Sequence, residues 1–137
     1  MKRLLGFSLL SGLLLCGSVA QALENWTEVT INPVGDRFLI FDESIQQAGE
    51  TVQFWEYRYF EQPNNEFLTF EVEEPVYGVM LYQSGNCASG IVETQKIIVF
   101  DQEQQQIQEM DYDGRSQVSQ PMEGSSAAKV LSYVCSN

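Results

Sequence analysis

The chain has 137 residues, 19 of them acidic and 7 basic, giving a net charge of −12 at pH 7, and it contains no histidine. A phosphate-binding surface needs clustered Lys and Arg to displace counterions, so this balance argues against nucleic acid and disfavours anionic membrane surfaces. Without histidine, the usual general base at neutral pH and the commonest metal ligand are both missing.

The N-terminus has the three parts of an export signal. Lys2 and Arg3 form a basic start, Leu4 to Cys16 an apolar run broken only by small residues, and Ala20-Gln21-Ala22 a small-x-small cleavage pattern. Residues 1–22 are expected to be a signal peptide, and residues 23–137 a single domain. The apolar run falls short of the roughly 20 residues that span a bilayer, so no membrane span is expected. Leu13-Leu14-Leu15-Cys16 also puts a cysteine where a lipid could be attached. Leu15 is bulkier than the residue that normally precedes such a cysteine, so anchoring at Cys16 is the alternative to plain export. Loss of Lys2 and Arg3 with the leader takes the net charge from −12 to −14. That charge would attract a basic protein patch or divalent cations, or it serves solubility alone.

Beyond the leader, aromatic and β-branched residues come in short bursts separated by Gly, Pro, Asn and Asp, a pattern of strands. Strands are expected at Trp26 to Ile31, Arg37 to Phe41, Val52 to Phe60, Phe67 to Glu73, Tyr77 to Tyr82, Ile91 to Phe100 and Ile107 to Tyr112. The third is the most regular: Val52, Phe54, Glu56, Arg58 and Phe60 alternate with Gln53, Trp55, Tyr57 and Tyr59. Lys96 to Phe100 is nearly continuous in apolar residues, as expected of a strand covered on both faces. Asp113-Gly114 is a strong turn signal. At the C-terminus, Ser125 can cap a helix in which Ala127, Ala128, Val130, Leu131 and Val134 recur at helical spacing. Removal of Cys16 leaves Cys87 and Cys135. An even pair in a small exported domain reads as one disulfide, here tying the chain end back onto the strands.

The order of these signals resembles the surface-adhesin protein E-like domain of bacterial exported proteins. The residues that carry the resemblance are Trp26, Phe38-Leu39-Ile40-Phe41-Asp42 with Ser44-Ile45, Gly49, Val52, Trp55, Cys87, Lys96 to Phe100 and Gly114. Pro121 to Ser125, Val130-Leu131 and Val134-Cys135 complete it. The resemblance implies an α+β fold: an antiparallel sheet of about six strands with a C-terminal helix tethered to it by the disulfide. It also implies a bacterial protein that acts by contact with other proteins and forms homodimers.

Few residues suggest chemistry. With Cys87 and Cys135 oxidised, a thiol nucleophile is not expected. Carboxylate pairs and the Ser125–Lys129 couple, at a spacing that any helix produces, are the remaining catalytic options. Glu109, Asp111 and Asp113 before Gly114 resemble the front of a calcium loop, but Gln120 stands where a bidentate Glu would be needed. Alternation on a solvated strand face explains them as well. The row Trp55, Tyr57 and Tyr59 is a candidate binding surface for a protein or a stacked sugar. The expectation, however, is that this row faces inward beneath the helix and that Phe54, Glu56 and Arg58 face outward.

The chain therefore reads as a non-enzymatic binding or structural protein of the bacterial envelope, secreted, periplasmic or on the cell surface, with no cofactor. An acidic calcium-responsive envelope protein and a small secreted hydrolase using paired carboxylates are the alternatives.

Overall fold

The computed structural model describes residues 25–137; the expected signal peptide and Cys16 lie outside the described residues. Eight strands form one antiparallel sheet: β1 (Trp26–Ile31), β2 (Arg37–Phe41), β3 (Gln46–Ala48), β4 (Thr51–Tyr59), β5 (Gly78–Asn86), β6 (Val92–Phe100), β7 (Gln106–Asp111) and β8 (Gln117–Ser119). One helix, α1 (Ser126–Cys135), closes the chain.

The strand count exceeds the expected six because two columns of the sheet are interrupted. The main path runs β1-β2-β4-β5-β6-β7, while β3 pairs with β4 beyond the end of β2, and β8 pairs with β6 beyond the end of β7. A 3-10 turn at Asp42–Ser44 separates β2 from β3. There the Ser44 hydroxyl accepts from Trp55 N at 2.9 Å, supplying the ladder bond that the break removes. Asp113 and Gly114 both take positive φ, 50° and 84°, as the turn signal requires. They do not join a β7–β8 hairpin; they redirect the chain along the same partner, β6.

The expected strand at Phe67 to Glu73 does not form. Residues 60–77 are irregular connection, and asparagine side chains satisfy their backbone: Asn65 Nδ2 donates to Val72 O and Glu74 O, and Asn65 Oδ1 accepts from Val76 N. The apolar residues that read as a strand instead pack on the sheet. Phe67, Leu68, Phe70 and Val72 cover Phe60, Val79, Leu81, Ile97 and Val99. The helix covers the other half of the same face, where Val130 and Val134 bury against Phe38, Ile40, Val52 and Phe54.

The facing of β4 is therefore the reverse of the expectation. The alternation holds, but Val52, Phe54, Glu56 and Arg58 point under the helix and the connection, and Trp55, Tyr57 and Tyr59 point away. Glu56 and Arg58 tolerate this because they pair with each other, Nε to Oε2 at 2.8 Å. The Arg58 guanidinium also lies between the rings of Phe38 and Phe67, 5.3 and 5.1 Å from their centroids.

Three links hold the helix. Ser125 Oγ accepts from Ala128 N at 3.1 Å as an N-cap. The Tyr133 hydroxyl donates to Asp42 at 2.7 Å, and Thr27 donates to the same carboxylate. That bond to Asp42 is the main reason the Tyr133 hydroxyl pKa is raised. Cys135, the last helical residue, is disulfide-bonded to Cys87 just after β5. Gly85 on β5 lets α1 settle: a Cβ there would lie 2.6 Å from Leu131 Cδ1. The leucine terminus can rotate aside, so Gly85→Ala should cost about 1 kcal/mol and Gly85→Val more, within the range for overpacking. Urea unfolding measures both, and unchanged midpoints would refute the close seating.

Candidate functional site

The helix and the 60–77 connection occupy one side of the sheet. Among the described residues, no helix and no long connection lies over the other side. That open face carries Trp55, Tyr57 and Tyr59 from β4, since alternate residues of a strand share a face. Cross-strand register then adds their neighbours: Trp55 pairs with Tyr82 and Tyr57 with both Leu39 and Met80, while Trp26 pairs with Phe41.

The rings form two groups on this face, one of five rings around Tyr57 and one of Trp55 with Tyr82. Trp26 stacks on Phe41 at 5.3 Å and meets Tyr57 edge-on at 5.9 Å. Tyr57 stacks on Tyr59 at 6.0 Å and packs on Phe100 at 5.7 Å. Trp55 lies 5.0 Å from Tyr82. These separations are those of offset and edge-on aromatic pairs, which gain energy beyond their buried area. Tyr57 is the buried centre, only 3% exposed; Leu39 beside it is buried too, and the surrounding rings are half-buried. Ile98 and Phe100 of β6 are half-buried on this face as well. The apolar run at Lys96–Phe100 is thus covered by a layer on one side, not two.

Tyr57 donates to Gln104 Oε1 at 2.7 Å, which anchors the β6–β7 turn over one end of the patch. Burial, and then the neighbouring Tyr59, pushes the Tyr57 hydroxyl well above the ordinary tyrosine range, so it remains a donor. Gln104 adopts φ 66°, an uncommon value for a residue with a side chain. Asp101 holds the turn in that shape by accepting from Glu103 N and Gln105 N.

The other candidates do not assemble. Glu109 pairs with Lys96 at 3.0 Å, and this bond is the main cause of the raised Lys96 pKa. Asp111 spends a carboxylate oxygen on Asp113 N at 2.9 Å, which shapes the turn. Among the described residues, no three His, Cys, Asp or Glu side chains are grouped to hold a metal ion. Ser125 is occupied as the helix cap, and Glu56, the one buried carboxylate among the described residues, is paired with Arg58. The contributions of Trp26, Phe41, Tyr82 and Phe100 escape sequence reasoning, because register between strands leaves no mark in any one strand.

No family model matches the chain, and no curated protein matches it by sequence. Its fold is found in solved structures of protein E from Haemophilus influenzae. Crystal form II of that protein is 14% identical, with a TM-score of 0.58 over 82% of this chain and 88% of that one. The selenomethionine form is 14% identical, with a TM-score of 0.57 over 83% and 88%. The protein from a non-typeable strain is 14% identical, with a TM-score of 0.55 over 83% and 77%. The antiparallel sheet with a disulfide-tethered C-terminal helix that the resemblance implied is found, with eight strands where about six were expected. Among the described residues, no helix is long and apolar enough to cross a membrane.

Proposed function

We propose, from the fold shared with Haemophilus influenzae protein E, that this chain is an exported, non-enzymatic binding protein of the bacterial envelope. It acts by protein–protein contact through the open aromatic face. The observation that carries the reading is the face itself: a five-ring cluster around Tyr57 and the Trp55–Tyr82 pair share a sheet face that no helix or long connection among the described residues covers. Trp and Tyr dominate interface hot spots because they bury large rigid surfaces and still offer a polar tip. The acidity favours a partner with basic residues at the rim, and a second copy of the chain is one form the contact takes. Residues 1–22 are removed on export, so the mature protein begins at Leu23.

The test is a photo-crosslinking residue at position 55, introduced in cells and followed by mass spectrometry of the envelope fraction. A crosslink to a distinct polypeptide, or to a second copy, supports the reading. A residue at 55 that captures no protein overturns it. With the captured partner in hand, Trp55→Ala should weaken binding by about 2 kcal/mol or more, roughly thirtyfold, while leaving the circular dichroism spectrum unchanged.

A further inference from the structure

Three connections converge at one end of the sheet: the β1–β2 turn, both ends of the 60–77 connection, and the β6–β7 turn. Between them lies a groove of about 420 Å³ lined by Gly35, Arg37, Tyr59, Phe60, Glu61, Tyr77 and Gln102. Small-molecule sites occupy roughly 300–1,000 Å³, so this groove suits a ligand of modest size.

Its walls are set before any ligand arrives. Asn32 Oδ1 accepts from Val34 N and Asp36 N at 3.1 and 2.8 Å, fixing the first turn. Asp36 Oδ1 accepts from Glu61 N at 2.9 Å, joining that turn to the connection. Phe60 N donates to Tyr77 O at 2.9 Å, and Tyr77 N to Phe100 O at 3.0 Å. A preformed site avoids the ordering penalty that weakens binding by flexible loops.

The lining selects the ligand class. Tyr77 offers a flat apolar ring with a hydroxyl at its tip, while the Tyr59 ring is already stacked on Tyr57 and lies under Arg37. Glu61 is an acceptor, Arg37 a fork of donors, and Gln102 both. An anion is a poor fit: Arg37 is already bonded to Glu28 at 2.5 Å and lies over Tyr59, and Glu61 adds a negative charge. A hydrocarbon ligand is a poor fit too, because polar side chains ring the space. A pyranose presents a face of C–H groups and a rim of hydroxyls that each donate and accept. We propose that this groove binds a short neutral saccharide of one or two pyranose rings. The sugar face rests on the Tyr77 ring, and its hydroxyls bond to Glu61, Gln102 and the free edge of Arg37. The groove meets the aromatic face at Tyr59, but Trp55 and Tyr82 do not line it, so a variant at position 55 reads the protein contact proposed above and not this groove.

Saturation-transfer NMR on the full mature protein, with lactose, maltose and chitobiose each at millimolar concentration, tests this. At least one sugar is expected to give saturable transfer. Tyr77→Ala and Gln102→Ala should each weaken it about tenfold, ~1.4 kcal/mol, whereas Trp55→Ala should leave it unchanged. Gln102 is exposed, so its variant keeps the fold even if Tyr77→Ala loosens the connection. No saturable transfer from any of the three sugars overturns the proposal. So does transfer that survives both groove variants, or transfer abolished by Trp55→Ala.

Discussion

Arg58→Ala is expected to lower the free energy of unfolding by about 3–5 kcal/mol, the loss typical of breaking a buried ion pair. Glu56 is fully buried, and among the described residues its carboxylate accepts hydrogen bonds only from Arg58, at 2.8 Å from Nε and 3.4 Å from Nη2. Removing the guanidinium leaves a charge with neither water nor partner. It also removes the cation held between Phe38 and Phe67, so packing is lost along with charge. The double variant Glu56→Leu with Arg58→Met should recover most of the loss, because apolar residues of similar size often replace a buried pair without penalty. Urea unfolding of the three proteins reads both effects. A loss below about 1 kcal/mol, the level of an exposed ion pair, would mean that water reaches Glu56 and that the seam is open.

Breaking the Cys87–Cys135 bond should have the next largest effect. The two cysteines are 48 residues apart, and closing a loop of that kind typically stabilises a small domain by about 2–4 kcal/mol. Cys135→Ser should lower the unfolding midpoint accordingly, and a thiol reductant should do the same to the parent protein. The variant Cys87→Ala with Cys135→Ala separates the cross-link from any strain of a lone buried thiol. The helix would remain packed through Val130, Val134 and the Tyr133–Asp42 bond, so the native state should persist with lower stability. Equal midpoints with and without reductant would show that this packing suffices without the bond.

Much of this architecture could be read from residues, and the failures have physical causes. Periodicity found β1, β2, β4, β6 and the capped helix, and cysteine parity found the disulfide. The segment at Phe67 to Glu73 misled because aromatic and β-branched residues mark burial as much as strand formation. Here Asn65 satisfied the backbone and freed those side chains to cover the sheet. The facing of β4 was misread because Glu56 and Arg58 look like surface residues one at a time. Only as a pair do they suit the interior, and nothing in the spacing says which face a helix will choose. On the face it takes, the helix seats Leu131 in the space that Gly85 leaves. Trp55, Tyr57 and Tyr59 were visible as a row; the patch they build with Trp26, Phe41, Tyr82 and Phe100 depends on pairing between distant segments.

The division of the covered face into two apolar clusters has a dynamic consequence. One cluster is sealed by the helix and the other by the 60–77 connection, and the Glu56–Arg58 pair lies on β4 between Phe38 of the first and Phe67 of the second. Partial opening follows contiguous units of packing rather than the whole molecule. Hydrogen exchange is therefore expected to find two opening units, one per cover, joined at Arg58, while β4 and β5, which run beneath both, stay paired. A partner on the aromatic side would then grip the strands expected to exchange last.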